Sequence, residues 1–208
     1  MRTLIRYSAT TALGCLLLVT PALGGCDGGS PEAKKAKHRE RAAGYFEKGQ
    51  YNEALLEYKN VAQVDPQDAD AHYRLALTYL KLGGIPNLQG AYAELTKTVE
   101  LDKTNQEAQL KLGQMYLLGN EPVKAREQAE IVLVSTPQNT EGLILRGRSL
   151  INEKRYQEGI VELKKAVELD PKHMQTYVDL ARAYFALNDT AAAEKILRQA
   201  LTVDARST

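Results

Sequence analysis

The sequence predicts an all-α fold, a solenoid of about five helix-turn-helix repeats. The first observation is a period of 34 residues: Tyr45 and Tyr79 are one period apart, and so are Pro137 and Pro171. The second is that small residues recur at two positions of each repeat. A fixed period of this length is typical of repeat proteins, in which each unit buries its apolar face only by stacking on its neighbours.

Five repeats divide the chain, at residues 35–68, 69–105, 106–139, 140–173 and 174–207. When three extra residues in the second repeat are allowed for, the eighth and twentieth positions are always Ala or Gly. We expect the two helices of a repeat to cross at these positions, because only small side chains let two backbones approach closely. The eighth-position residues are Ala42, Ala76, Gly113, Gly147 and Ala181, and the twentieth-position residues are Ala54, Ala91, Ala125, Gly159 and Ala193.

Larger residues complete the pattern. Tyrosine occupies the eleventh position of four repeats, where its ring can fill the space between units while its hydroxyl stays hydrated. Pro66, Pro137 and Pro171 follow the second helix of their repeats, where proline ends a helix without breaking it. The pattern resembles the tetratricopeptide repeat (TPR). The resemblance implies a right-handed solenoid over residues 34–208, with an antiparallel helix A and helix B in each repeat.

The second repeat is longer than the others by three residues, around residues 83–87. We expect the extra residues to lengthen the turn between its two helices, because surface loops tolerate such insertions. A loop that contacts a partner or a membrane is the alternative.

Residues 1–25 have the layout of a bacterial export signal. Arg2 and Arg6 precede an apolar run that is shorter than the ~20 residues a membrane-spanning helix needs. Residues 23–26, Leu-Gly-Gly-Cys, resemble the lipobox of bacterial lipoproteins, which implies that Cys26 becomes the first mature residue and carries lipid. A plain signal peptide with an incidental cysteine and an uncleaved anchor are the alternatives.

Residues 26–33 are then a short linker between the lipid and the repeats. Several acyl chains on one cysteine hold a protein firmly to a bilayer. Asp27 favours the inner membrane, at its periplasmic face, by a sorting rule that varies between bacterial lineages, so the outer membrane is the alternative. Lys34 and Lys37 at the start of the first helix could contact anionic head groups or form a solvated cap.

Composition excludes several classes of function. Removal of residues 1–25 changes the formal net charge from +1 to −1, which does not favour nucleic-acid binding. His38, His72 and His173 fall in separate repeats without the spacing of a metal site. The pair at 83–84, Gly-Gly, lacks the Lys-Ser/Thr that follows a phosphate-binding loop. We therefore expect no metal, no cofactor and no catalytic residues, and a protein that is not an enzyme.

The TPR resemblance also implies a concave groove, lined mostly by helix A, in which a protein or peptide partner binds. The chaperone-type carboxylate clamp of some TPR proteins uses Lys and Asn at matching positions of adjacent repeats, and that combination is absent. The groove positions instead predict an apolar strip with two guanidinium groups, suited to a peptide with apolar anchors and acidic groups. The predicted groove residues are Tyr73, Leu77, Leu110, Gln114, Ile144, Arg148, Val178 and Arg182. Alternatively, Arg148 and Arg182 pair with nearby acids such as Asp179.

We thus expect a membrane-anchored scaffold for a cell-envelope assembly or secretion machine. The layout is similar to that of TPR lipoproteins of pilus assembly, outer-membrane protein assembly and exosortase-linked exopolysaccharide systems. The alternative is an adaptor that recruits or regulates envelope enzymes such as peptidoglycan hydrolases or proteases. No capping helix is expected after the fifth repeat, where a partner, self-association or a longer natural chain could cover apolar side chains. These side chains are Leu187, Ile196, Leu197 and Leu201.

Overall fold

The computed structural model describes residues 30–204, and every regular element in that range is an α-helix. The helices of the described range are α1 (Pro31–Glu47), α2 (Tyr51–Val64), α3 (Ala69–Leu82), α4 (Ile85–Leu101), α5 (Gln106–Leu118), α6 (Pro122–Ser135), α7 (Thr140–Asn152), α8 (Tyr156–Leu169), α9 (Met174–Ala186) and α10 (Thr190–Asp204). They form five successive helix pairs, which confirms the all-α TPR fold. The predicted signal segment, residues 1–25, and Cys26 lie outside the described residues.

The helices form two layers. Each helix packs on the next along the chain, and among the odd-numbered helices α7 also packs on both α5 and α9. The odd-numbered helices, which are helix A of each repeat, therefore make the inner layer, and their solvent-facing side is the concave face. The even-numbered helices make the outer layer. No helix within residues 30–204 is both long and apolar enough to cross a bilayer.

The small residues lie at the helix crossings, as predicted. Ala42, Ala54 and Ala193 are fully buried. At the crossing of α7 and α8, a Cβ added to Gly159 would lie 2.8 Å from the carbonyl oxygen of Gly147 and 2.7 Å from Cγ1 of Ile151. These separations are too short for a side chain, so the two backbones meet here only because both residues are glycine.

Asx side chains cap three of the A helices. The Oδ1 atoms of Asp68, Asn105 and Asn139 accept hydrogen bonds of 2.9–3.0 Å from the backbone N–H three residues later. Such bonds satisfy N–H groups that have no partner within the helix. Each cap lies at the junction between one repeat and the next, so it also fixes where the new repeat begins.

The turn from helix A to helix B passes through the left-handed region in every repeat. The residues with positive φ in these turns are Gly49, Gly83, Gly84, Asn120, Lys154 and Asn188. A left-handed residue after a helix lets the chain reverse and satisfies the last carbonyls. Glycine and asparagine adopt this conformation at little cost, whereas lysine does not.

The expectation of a longer turn in the second repeat is wrong. Only Gly83 and Gly84 separate α3 from α4, and α4 has 17 residues where α2, α6 and α8 have 14. The insertion therefore adds a first turn to helix B. Pro86 fits there because a helix leaves its first N–H groups unbonded, and Asn87 Nδ2 donates a 2.7 Å hydrogen bond to the Gly83 carbonyl.

Candidate protein-binding groove

In the first half of the concave face, neighbouring repeats are linked by polar side chains. Tyr73 Oη donates a 2.7 Å hydrogen bond to Oε2 of Glu107, and the Arg39 guanidinium donates to Asp68. Burial raises the pKa of the Tyr73 phenol well above its usual value, and the bond to Glu107 adds to the shift. These groups are occupied with each other and stabilise the stacking of repeats.

In the second half, one carboxylate organises the face. Asp179 on α9 is almost fully buried, and its Oδ2 accepts a 2.5 Å hydrogen bond from Nε of Arg148 on α7. Gln175 Nε2 lies 3.5 Å from Oδ1 of the same carboxylate, and Arg182 Nη1 lies 4.0 Å from it. Asp179 thus holds Arg148 in place, whereas Arg182 stays mostly exposed.

A pocket of about 330 Å³ opens at this place, between α5, α7 and α9. It brings together the two arginines that the sequence placed in the groove. An apolar wall on one side and cationic groups on the other suit a segment with both apolar and acidic side chains. The lining residues are Leu117, Arg148, Ile151, Asn152, Gln175, Asp179 and Arg182.

The structure separates the predicted groove residues into three classes. Tyr73, Leu110 and Ile144 are buried members of the core clusters, so they are corrected from ligand-facing to core positions. The reason is that neighbouring helices cover this position on α3, α5 and α7, whereas the same position on α9, Val178, is exposed. Leu77, Gln114 and Arg148 are partly buried, and only Val178 and Arg182 are largely exposed.

Two exposed apolar side chains on the A helices were missing from the predicted set. Leu118 at the end of α5 and Phe185 on α9 are both exposed, and Ile151 and Asn152 line the pocket. These residues occupy the twelfth and thirteenth positions of their repeats. An aromatic side chain at the twelfth position is buried only where another helix packs beside it. Phe185 is exposed because no helix within residues 30–204 covers this side of α9.

A second depression of similar volume lies on the side of α6 and α8, and its charged side chains already pair with one another. Arg126 Nε bonds Glu153 at 2.8 Å, Arg126 Nη1 bonds Glu130 at 2.7 Å, and Arg155 bonds Glu158 at 2.6 Å. The bond to Glu153 is the main reason that the pKa of Arg126 is raised. Charges already neutralised by neighbours offer little to a ligand, so this depression is the weaker candidate.

The histidines have structural partners. Nδ1 of His38 lies 2.5 Å from Glu57, and Nδ1 of His72 lies 2.6 Å from Glu94, in each case between the two helices of one repeat. Across residues 30–204 there is no group of three or more His, Cys, Asp and Glu side chains that could hold a metal ion.

Comparison with known families finds TPR sequences in two parts of the chain. A family described as "TPR repeat" matches residues 44–83, and one described as "Tetratricopeptide repeat" matches residues 150–207. The chain therefore carries tetratricopeptide repeats, the kind of module expected from its sequence pattern.

Curated relatives are similar over the repeat region. The "Type IV pilus assembly protein PilF" of Pseudomonas aeruginosa is 27% identical over 137 residues, which are 65% of this chain and 53% of the relative. Human "Peptidyl-prolyl cis-trans isomerase FKBP4" is 30% identical over 116 residues, 49% of this chain and 25% of the relative. The "Hsp70-Hsp90 organizing protein 3" of Arabidopsis thaliana is 27% identical over 67% of this chain and 24% of its own length. The chain thus spans a quarter to about half of the length of these relatives.

Solved structures share the fold. "MamA 41-end from Desulfovibrio magneticus RS-1" has a TM-score of 0.76 and 21% identity, over 84% of this chain and 97% of that chain. A second structure, "Crystal structure of MamA protein", has a TM-score of 0.73 and 21% identity, over 82% and 92% of the two chains. At this level of identity the similarity shows the TPR solenoid alone.

Proposed function

We propose that this protein is a membrane-anchored scaffold that binds a segment of a partner protein on the concave face of α5, α7 and α9. One observation carries the proposal: Asp179 fixes Arg148 within the pocket and leaves Arg182 exposed beside apolar side chains. A TPR array serves protein–protein interaction, and a rigid array presents its binding side chains in a fixed geometry. Such preorganisation lowers the entropic cost of binding.

The chemistry of the face defines the partner segment. Arg182 offers a guanidinium with donors that suit a carboxylate, because a charge-assisted hydrogen bond is among the stronger polar contacts. Val178 and Phe185 flank Arg182 on the same side of α9, at helical spacing. The segment that fits carries an acidic side chain with apolar side chains before and after it.

The sequence before the repeats supports the membrane part of the proposal. Lipid on Cys26 would leave only residues 27–30 between the anchor and α1, so the first repeat would lie near the bilayer. The name of one similar protein, a type IV pilus assembly protein, supports a role in a cell-envelope machine. We place the protein at the periplasmic face of the inner membrane, on the evidence of Asp27.

The test is affinity capture from membranes of the producing bacterium with the full-length protein and its Arg182→Glu variant. Lys172→Glu is the matched control, because Lys172 is an exposed cation on the turn before α9. Integral envelope proteins that are retained by the wild type and the control, and lost from Arg182→Glu, support the scaffold. A soluble envelope hydrolase or protease with the same dependence supports an adaptor. Partners that are unaffected by Arg182→Glu contradict the groove.

Membrane attachment is tested separately with Cys26→Ser. We expect this variant to leave the membrane fraction while its helical circular dichroism is unchanged, since the cysteine precedes every described repeat. A variant that remains in the membrane fraction contradicts lipid anchoring.

A further inference from the structure

The surface of α9 that faces away from α7 exposes side chains whose equivalents are buried one repeat earlier. Ile144 on α7 is 2% exposed, whereas Val178, 34 residues later, is 42% exposed. The difference arises because α9 covers α7, and no helix within residues 30–204 covers α9 in the same way.

Helix α10 shows the same difference. Val167 on α8 is 9% exposed, and its equivalent on α10, Leu201, is 69% exposed. Leu197 is exposed as well, although its equivalent Leu163 is fully buried against the fifth repeat. Of the four side chains expected to be partly exposed here, Leu187 and Ile196 are partly buried against the core, and Leu197 and Leu201 are exposed. We call the residues Val178, Arg182, Phe185, Leu197 and Leu201 the α9–α10 surface.

Arg148 and Arg182, which are also 34 residues apart, differ in exposure in the same way. Arg148 is 30% exposed because it bonds to Asp179 of the following A helix, whereas Arg182 is 71% exposed. Arg182 is thus placed to make, with a further helix, the ion pair that Arg148 makes with α9. The α9–α10 surface combines apolar positions of a repeat interface with the cation that fixes its register.

We infer that the α9–α10 surface binds an amphipathic helix of a partner protein, which lies as α9 lies on α7 and directs a carboxylate at Arg182. This inference rests on the protein-binding role proposed above and specifies the partner. We infer a helix rather than an extended peptide, because Val178, Arg182 and Phe185 are spaced i, i+4 and i+7 and therefore form a line along one side of α9. A helix placed alongside matches that spacing residue by residue.

The way α9 meets α7 and α8 predicts the sequence of the partner helix. The α9 side chains buried in that interface include Tyr177, Leu180 and Ala183, around the carboxylate of Asp179. The partner helix should therefore carry an acid with apolar residues two positions before it and one position after it. A small residue should follow four positions after the acid, where the helices approach closely.

A second copy of this chain is a poorer occupant. Its α1 does offer Glu40 at the position equivalent to Asp179. However, Lys37, Arg41 and Lys48 of α1, all exposed, occupy the positions of Thr176, Leu180 and Leu187. Stacking α1 on this surface would bring three cations against Leu197 and Leu201, beside Arg182. Arg41 has a carboxylate 3.7 Å away, on Glu57, but burying Lys37 and Lys48 against leucines is unfavourable, so self-association in this manner is disfavoured.

The first measurement uses a form of the full chain in which a second copy of residues 171–204 follows Asp204 directly. This copy alone carries Val178→Gln, Arg182→Glu, Phe185→Gln, Leu197→Gln and Leu201→Gln, so that it covers the α9–α10 surface without presenting a new one. This junction keeps the 34-residue period, because Asp170 precedes Pro171 in the natural repeat. We expect the appended repeat to fold onto the α9–α10 surface and raise the urea midpoint. Arg182→Ala should then lower the midpoint of the extended form more than that of the natural form. Arg74→Ala, at an exposed ion pair of the second repeat, should affect both forms equally.

The second measurement uses a labelled peptide with the α9 sequence, residues 173–189, as the probe. Because isolated helices of this length are marginal in water, a hydrocarbon staple joins its positions 178 and 182, which face away from the binding side. We expect binding to the natural chain, about tenfold weaker binding to Arg182→Gln, and a similar loss when Asn replaces the peptide's Asp179. The extended form, whose surface is occupied, should not bind the peptide.

Equal peptide affinity for the natural and extended forms would overturn the inference, as would equal effects of Arg182→Ala in both. A shift of the natural chain to dimers in sedimentation, abolished by the appended repeat, would replace the partner helix with a second copy. Native partners that bind the extended form as well as the natural one, yet are lost with Arg182→Glu, would retain the proposed groove and reject the α9–α10 surface.

Discussion

Nε of Arg148 donates a 2.5 Å hydrogen bond to Oδ2 of Asp179, and this bond joins the A helices of the fourth and fifth repeats. Removing the arginine leaves a carboxylate that is almost fully buried without its main partner. We expect Arg148→Ala to lower the free energy of unfolding by about 1–3 kcal/mol, measured by urea denaturation.

The control for this prediction is Arg74→Ala. Arg74 and Asp70 are both about half exposed and are 3.3 Å apart on one helix. Loss of such a pair should change stability by less than about 0.5 kcal/mol. Equal effects of the two substitutions would mean that Asp179 does not depend on Arg148.

We expect the fold to be destabilised by any side chain at Gly159, the glycine at the twentieth position of the fourth repeat. Gly159→Ala places a methyl group 2.8 Å from the Gly147 carbonyl oxygen, so α7 and α8 must separate, at a cost of about 1–3 kcal/mol. Gly44→Ala is the matched change, because a Cβ on Gly44, within α1, meets nothing within 4 Å. It should stabilise the protein by about 0.5–1 kcal/mol, since alanine is the better helix former. Thermal unfolding that moves in the same direction for both would contradict the crossing geometry.

These glycines and alanines show why the fold was predictable from sequence. Close helix crossings allow only the smallest side chains, so the spacing of Ala42, Gly147 and Ala193 records the packing directly. The Asx caps and the left-handed turn residues repeat with the same period. Each feature depends only on residues in the same repeat or the next one. A 34-residue sequence pattern is therefore enough to predict it.

The site was less predictable because exposure depends on longer-range context. The register of the repeat places Ile144 and Val178 at the same position, yet α9 covers only the first of them. The bond from Arg148 to Asp179 likewise depends on how two repeats pack. From sequence spacing alone, Arg148 could either face a ligand or pair with Asp179. The three extra residues of the second repeat could equally lengthen a turn or a helix. Gly83 and Gly84 complete the turn in two residues, so the extra residues lengthen α4.

The turn between α7 and α8 contains a strained lysine. Lys154 has a φ of 63°, at the position where other repeats have Gly49, Asn120 or Asn188. We expect Lys154→Asn to stabilise the protein by about 0.5–1 kcal/mol and to raise Tm by about 1–4 °C, because asparagine tolerates the left-handed region. The reverse change, Asn188→Lys, should lower Tm by a similar amount. If both substitutions leave Tm unchanged, the turn conformation carries no strain.

The first repeat contains a pH-sensitive pair. The 2.6 Å bond from Lys35 Nζ lowers the pKa of the Asp65 carboxyl below its ordinary 3.8, and the backbone N–H of Gln67 contributes further. A carboxyl with a lowered pKa in the folded state stabilises the protein above pH 3.8, and this stabilisation is lost as the pH falls through the folded-state pKa. We therefore expect Lys35→Gln to raise the pKa of Asp65, as followed by carboxyl carbon NMR. Asp102, whose pKa is lowered chiefly by the Thr104 hydroxyl, is the internal control. A Lys35→Gln spectrum in which Asp65 titrates as before would contradict the pairing.

The central claim is that the concave face of the last repeats binds a partner protein, and site-specific photo-crosslinking tests it most directly. A photoreactive amino acid is placed at Phe185, exposed on α9, and at Val134, exposed on the outer helix α6, in the full chain produced in its native cells. The account predicts a discrete protein adduct from position 185 that Arg182→Glu abolishes, and none from position 134. Adducts from position 134 alone, or adducts at 185 that persist with Arg182→Glu, would contradict it.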